Sequence, residues 1–238
     1  PLTNSISLVS EGRCLIYCED ETGIMMGKNL STHLGVTVML SNYDENILAD
    51  NFVSCISRGK ITQASGSFSD FKILLDNFSE ANPNSKSTIE FSEYANNVES
   101  SCDIIIDLTS NPPLFPGHKK RDGYFKVDKN DKIGLKDTET KAIQLFGEFE
   151  KPIYVNYTEN ICAHSRNKIT GCTKCLDACP AGAINSSGDH VQIDLGICGG
   201  CGMCGAVCPS GAAQTSYPKI EETLQQIINL YKYFQNAG

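Results

Sequence analysis

The chain has 238 residues, with 20 Lys and Arg against 28 Asp and Glu, a formal net charge of -8, and 12 cysteines. The length suits one large domain or two small ones with a real core, and the acidic balance argues against a nucleic-acid partner, which would need a basic field to neutralise phosphates. No apolar run approaches about 18 residues, so no membrane-spanning helix is expected, and PLTNSISLVSEGR lacks a secretory signal's basic and apolar regions, so a cytoplasmic location is expected.

Pro1 is an unusual natural start, which points to a processed chain or a piece of something longer. RCLIYC at 13–18 predicts a short buried strand. GIMMGKNLSTHLG then predicts a helix ending at Gly35, with Leu30 and Leu34 at i, i+4. VTVML at 36–40 is a second strand. GKITQASGSFSDFKILLDNF predicts a hairpin, with Ile61, Phe71, Ile73 and Leu75 alternating with polar residues and Ser65-Gly66-Ser67 as the turn. STIEF at 87–91 and CDIIIDLT at 102–109 are further strands. NPPLFPG at 111–117 is irregular, because its prolines remove donors and fix φ. DTETKAIQLFGEF at 137–149 predicts a helix capped by Asp137, with Ile143 and Phe146 on one face. The alternation of strands and helices predicts an α/β or α+β domain over 1–150. The tail KIEETLQQIINLYKYFQNAG is an amphipathic helix, with Ile220, Leu224, Ile227, Ile228, Tyr231 and Phe234 on one stripe.

Eight of the cysteines fall between 162 and 208, while Cys14, Cys18, Cys55 and Cys102 lie far apart. Short regular spacings without a secretion signal favour metal over disulfides. The second run, CGGCGMCGAVCP at 198–209, reads C-x2-C-x2-C-x3-C-P. The first, GCTKCLDACP at 171–180, reads C-x2-C-x3-C-P, with Ile169 where a leading cysteine would stand. Aligned at their final Cys-Pro, CPAGAI and CPSGAA mark an internal duplication. VQIDL at 191–195 and YVNY at 154–157 are short segments that could pair as small strands.

A cubane iron–sulfur cluster needs four thiolates at the corners of a tetrahedron. C-x2-C-x2-C wraps three corners, and the cysteine before Pro reaches the other cluster. Gly199, Gly200, Gly202 and Gly205 suit backbone N–H groups approaching the sulfurs. Cys162 is the nearest upstream cysteine to the short run, and the loop AHSRNKITG between it and Cys172 closes at little extra cost. It also follows KPIYVNYT as Cys198 follows VQIDL. The expected crossed ligation is Cys162, Cys172, Cys175 and Cys208 for one [4Fe-4S] cluster, and Cys198, Cys201, Cys204 and Cys179 for the other. The rivals are zinc on paired knuckles, a three-iron cluster without Cys162, and His164 as a replacement ligand.

This pattern resembles bacterial two-cluster 2[4Fe-4S] ferredoxin domains over about 155–217. A longer resemblance runs through GEFEKP, ICAHSRNKITGCTKCLDACPAGAI and DHVQIDLGICGGCGMCGAVCPSGAA. It extends in outline to GKITQASGSFSDFKILLDNF and CDIIIDLTSNPPLFP. These segments resemble larger bacterial iron–sulfur proteins often encoded beside molybdenum-dependent formate dehydrogenases. The resemblance implies that the cysteine of CAHSR, Cys162, is a ligand, that formate dehydrogenase is the context, and that the protein continues beyond LYKYFQNAG.

The remaining cysteines, Cys14, Cys18, Cys55 and Cys102, read as small buried hydrophobes rather than redox or metal groups. PGHKKRD at 116–122 reads as a solvated basic loop, with docking of an acidic partner as the sharper alternative. Arg166 and Lys168 sit in the loop of the first cluster, where cations would favour its reduced state. No Ser-His-Asp, HExxH, GxGxxG or phosphate-loop element occurs.

The expected fold is α+β: an N-terminal α/β domain at 1–150, a ferredoxin-like two-cluster domain at 151–217 and a C-terminal helix at 218–238 leading into a longer protein. The leading function is a one-electron carrier serving redox protein partners, with no catalysis of its own. The alternatives are a subunit whose catalytic centre lies elsewhere, and a redox-sensing or assembly protein.

Overall fold

A computed structural model of the chain describes residues 4–41, 55–82, 89–119, 121–164, 171–187 and 190–236. The chain divides into two units, Ser7–Phe149 and Glu150–Gly238 with Pro1–Ile6. β1 (Ser5–Ser10) pairs with β9 (Gly147–Pro152), and the division falls within these strands.

In the first unit, β2 (Arg13–Cys18) is buried from Cys14 to Cys18, as a strand covered on both faces must be. It runs parallel to β3 (Gly35–Leu40) on one side and β7 (Ile104–Asp107) on the other. β4 (Ile56–Ser67) extends the sheet beyond β3, and β8 (Tyr124–Lys126) extends it beyond β7, both in parallel. β5 (Asp70–Glu80) and β6 (Val98–Cys102) follow β4 as antiparallel neighbours. Asp103 alone separates β6 from β7, so one stretch of chain pairs first with β5 and then with β2, closing β2 to β6 into a ring. Residues of one parity, Ile16, Val38 and Ile106, pack beneath α1 (Glu21–Leu30) and α2 (Lys132–Ile143). Those of the other parity, Leu15, Tyr17, Met39 and Ile105, line the ring's interior.

Two buried aspartates fix this framework. Asp103 accepts from the Arg13 backbone N–H and from Nη2 at 2.8 Å. Asp107 accepts from Lys126 Nζ and Tyr124 OH, each at 2.9 Å, and from the hydroxyl and N–H of Thr109.

Several local expectations are corrected. The first helix stops at Leu30, and Gly35 opens β3 instead of closing the helix. The hairpin turns at Phe68-Ser69, with Ser69 at φ 71, while Gly66 sits in the ladder opposite Phe71. Within the described part of STIEF, Ile89 is buried and Phe91 makes an isolated bridge to Ala81. The Arg58 guanidinium lies 4.6 Å over Phe91, a side-chain contact in place of a ladder. α2 begins five residues earlier than predicted, because Asp131, not Asp137, accepts the Gly134 N–H. It ends at Ile143. Gly147 at φ 119 starts a strand, Phe146 is exposed, and Phe149 packs on Phe68. Arg121 is not a solvated cation: it is 7% exposed, donates to the Gly66 carbonyl and lies over Phe115.

Gly23 is buried in the first turn of α1, and an added Cβ would lie 2.6 Å from Cys18 Cβ. For Gly23→Ala, overpacking of about 3 kcal/mol against a helix-propensity gain of about 1 kcal/mol leaves a net loss of about 2 kcal/mol. Urea unfolding reads this as a lower midpoint at unchanged slope.

In the second unit, β10 (Val155–Tyr157) pairs antiparallel with β13 (Ala213–Thr215), and β11 (Ile184–Ser187) with β12 (His190–Ile193). YVNY and VQIDL therefore do not pair with each other. Each pairs with a strand from the opposite half of the duplication. α3 (Lys174–Ala178) and α4 (Met203–Val207) are the equivalent short helices of the two halves. α5 (Ile220–Asn236) forms as expected, with Leu224, Ile227, Tyr231 and Phe234 more than half exposed. No helix among the described residues is long and apolar enough to cross a membrane.

Candidate metal centre

Six of the eight cysteines of the duplicated region, Cys162, Cys175, Cys179, Cys198, Cys204 and Cys208, lie on or beside the small core of this unit. Cys162, Cys198 and Cys204 are buried, Cys201 is exposed, and the other four are partly buried. The thiols gather in two sets. Around Cys175 stand Cys162, Cys172 and Cys208; burial first, and then these neighbours, push its thiol up. Around Cys204 stand Cys198, Cys201 and Cys179, and its thiol is raised in the same way. Each set draws on both halves of the duplication, because β10–β13 and β11–β12 interleave them.

The backbone returns donors to the two outlying cysteines. The Ala183 N–H lies 3.3 Å from Cys179 Sγ, and the Ala213 N–H 3.5 Å from Cys208 Sγ. Burial acts to raise the Cys208 thiol, but the N–H of Ala213, the Ser210 hydroxyl and the N–H groups of Ser210 and Ala212 outweigh it and hold it low. Donors aimed at sulfur stabilise negative charge there, as a thiolate ligand requires. The chain turns back through Gly182 at φ 63 and Gly211 at φ 69, a left-handed conformation that favours glycine. These two glycines stand at the same offset from Cys-Pro in both runs, a signal in the duplication that the glycine reading passed over. Of the four glycines singled out there, Gly200 and Gly202 take positive φ.

His164 is fully buried. Its Nδ1 lies 2.9 Å from the Cys172 carbonyl and its Nε2 3.1 Å from Ser186 Oγ. A carbonyl only accepts, so Nδ1 carries the proton. Both ring nitrogens are engaged, and the residue is neither a surface group nor a spare ligand. Arg166 and Lys168 lie outside the described residues.

Among the described residues, no three Cys, His, Asp or Glu side chains stand close enough to hold a single metal ion. Four thiolates on a cubane stand farther apart than four on one ion, since irons and sulfides lie between them. The donor chemistry, two sets of four thiols with inward N–H groups, fits a pair of such clusters.

The isolated cysteines behave differently. Burial pushes Cys14 far up, and Cys18 and Cys102 up to about 12. Cys55 departs from its expected burial and is exposed.

Residues 168–212 match the 4Fe-4S dicluster domain family. The chain therefore carries a 4Fe-4S dicluster domain. The match spans seven of the eight cysteines and begins after Cys162. No curated protein matches the chain.

Proposed function

We propose that the chain is an electron-transfer component holding two [4Fe-4S] clusters, one on Cys162, Cys172, Cys175 and Cys208, the other on Cys179, Cys198, Cys201 and Cys204. The observation that carries this reading is the partition of eight thiols into two sets of four, each drawn from both halves of the duplication. Bound there, each cluster supplies one-electron exchange at a potential set by its surroundings. Cys162 and Cys204 hold their sulfurs away from water, and the Ala183 and Ala213 N–H groups stabilise charge on the outlying thiolates. The exposed Cys201 and Met203 offer an edge close to a partner.

The proposed organisation is an α/β domain at 1–150, the ferredoxin domain at 151–217 and a helix at 218–238 continuing into a longer protein. The proposed setting is a cytoplasmic oxidoreductase system, with a formate dehydrogenase as redox partner, in keeping with the CAHSR-containing resemblance. Anaerobic reductive titration tests it. About two electrons per chain are expected, one for each cluster. Uptake of none overturns the carrier reading, while failure of a formate dehydrogenase with formate to reduce the chain removes that partner alone.

His164 ties the arm carrying Cys162 to Cys172 and Ser186. His164→Ala is expected to lower iron content toward one cluster per chain and to change the spectrum of that cluster only. His164→Asn, which keeps one donor and one acceptor, restores part of the loss. Iron analysis with EPR after dithionite reads both.

A further inference from the structure

The two halves of the duplication agree at their ligands and differ beside them. Each outlying cysteine accepts a backbone N–H, Cys179 from Ala183 at 3.3 Å and Cys208 from Ala213 at 3.5 Å. Two residues after Cys208 stands Ser210, with its Oγ 3.7 Å from the Cys208 sulfur. Two residues after Cys179 stands Ala181, which has no hydroxyl to offer. CPAG and CPSG differ at this position alone.

The ligand state decides which atom donates. A cysteine bound to iron is a thiolate and has no proton to give, so the hydrogen between Ser210 and Cys208 is the serine's. Charge-assisted bonds of this kind are the stronger ones. Reduction adds negative charge to a cluster and its ligands, which strengthens the bond and favours the reduced state. A backbone N–H reaches sulfur in both halves, whereas the hydroxyl serves one. Ser210 is exposed, so water competes for its hydrogen, and the gain lies toward the lower end of a hydrogen bond's worth.

We propose that Ser210 sets the reduction potential of the cluster held by Cys162, Cys172, Cys175 and Cys208, raising it by a contact that the cluster on Cys179 lacks. Ser210 is a positioning residue, acting through the ligand sulfur at which it directs a donor. The step it favours is uptake of one electron from an external one-electron reductant, with no bond broken and no proton taken up. The proposal rests on the two-cluster reading above.

The test is an EPR-monitored redox titration of the anaerobically purified full chain, with dithionite as reductant and iron counted in every variant. Ser210→Ala should keep about eight irons per chain. It should disfavour reduction of one cluster by about three- to fivefold, a fall of roughly 30–40 mV for one electron. Ser210→Thr, which keeps the hydroxyl, should stay at the parent's potential. Ala181→Ser should raise the potential of the other cluster by a similar amount. In Cys162→Ala, where the cluster on Cys179 is the one expected to remain, Ala181→Ser should still raise the potential and Ser210→Ala should leave it unmoved. Two clusters whose potentials Ser210→Ala does not move, a fall that Ser210→Thr shares, or iron lost with Ser210→Ala would each overturn the proposal and leave the two-cluster reading intact. A parent without two clusters would overturn both.

Discussion

Cys162→Ala is expected to leave about four irons per chain where the parent holds about eight, with one of the two EPR signals lost after dithionite. The effect is large because Cys162 is one of only four thiols in its set, and Ser165 to Thr170, the remaining loop before Gly171, bring no other cysteine. Cys14→Ser and Cys55→Ser should change neither iron nor signal, since both residues lie in the other unit. The domain match begins at residue 168, so the experiment tests a ligand that the family pattern does not itself include. Unchanged iron in Cys162→Ala, or a three-iron signal in the undamaged parent, would refute the assignment.

Asp107→Ala is expected to cost the α/β unit about 3 kcal/mol. The side chain is 1% exposed and bonds Lys126, Tyr124 and Thr109 together. Removing it strands a partly buried ammonium, a loss of about 3–5 kcal/mol for fully buried pairs. Lys126 retains 25% exposure, which places the effect at the lower end. In a unit of this size that is a fall in Tm of roughly 6–12 °C. A double-mutant cycle with Lys126→Met separates the ion pair from the bonds to Tyr124 and Thr109. A loss below about 1 kcal/mol would show that water takes over the carboxylate's partners.

The parts of this architecture that were legible in the sequence are those set by short-range pattern. CLIYC within RCLIYC and the three isoleucines within CDIIIDLT are unbroken apolar runs, which strands buried on both faces require. The C-x2-C spacings are dictated by the tight wrapping of a chain around a cluster. What escaped depends on choices between near-equal local signals or on tertiary contact. Asp131 and Asp137 are both acceptable helix caps, and the packing of Phe149 on Phe68 goes with a strand over 147–149. Arg121 sits in a run of basic residues that reads as solvated, yet it is captured by a carbonyl fifty-five positions away in the chain. The closure of the ring hinges on one bend at Asp103, whose carboxylate meets Arg13 from across the fold. His164 carries no local sign of burial, since both its partners lie beyond its own segment.

The pairing of β10 with β13 joins the first strand of the cysteine region to its last. During synthesis that pair cannot form until some sixty further residues have left the ribosome, about 3–12 s at ordinary elongation rates. Throughout that interval the thiols from Cys162 onward emerge one after another without their closing strand, exposed to oxidants and to stray metal ions. The interleaving that lets two halves share their cysteines thus makes the nascent chain most vulnerable in the seconds before residue 215 appears. A cell making this protein is expected to need anaerobic conditions, or a cluster-delivery factor, at that stage more than at any later one.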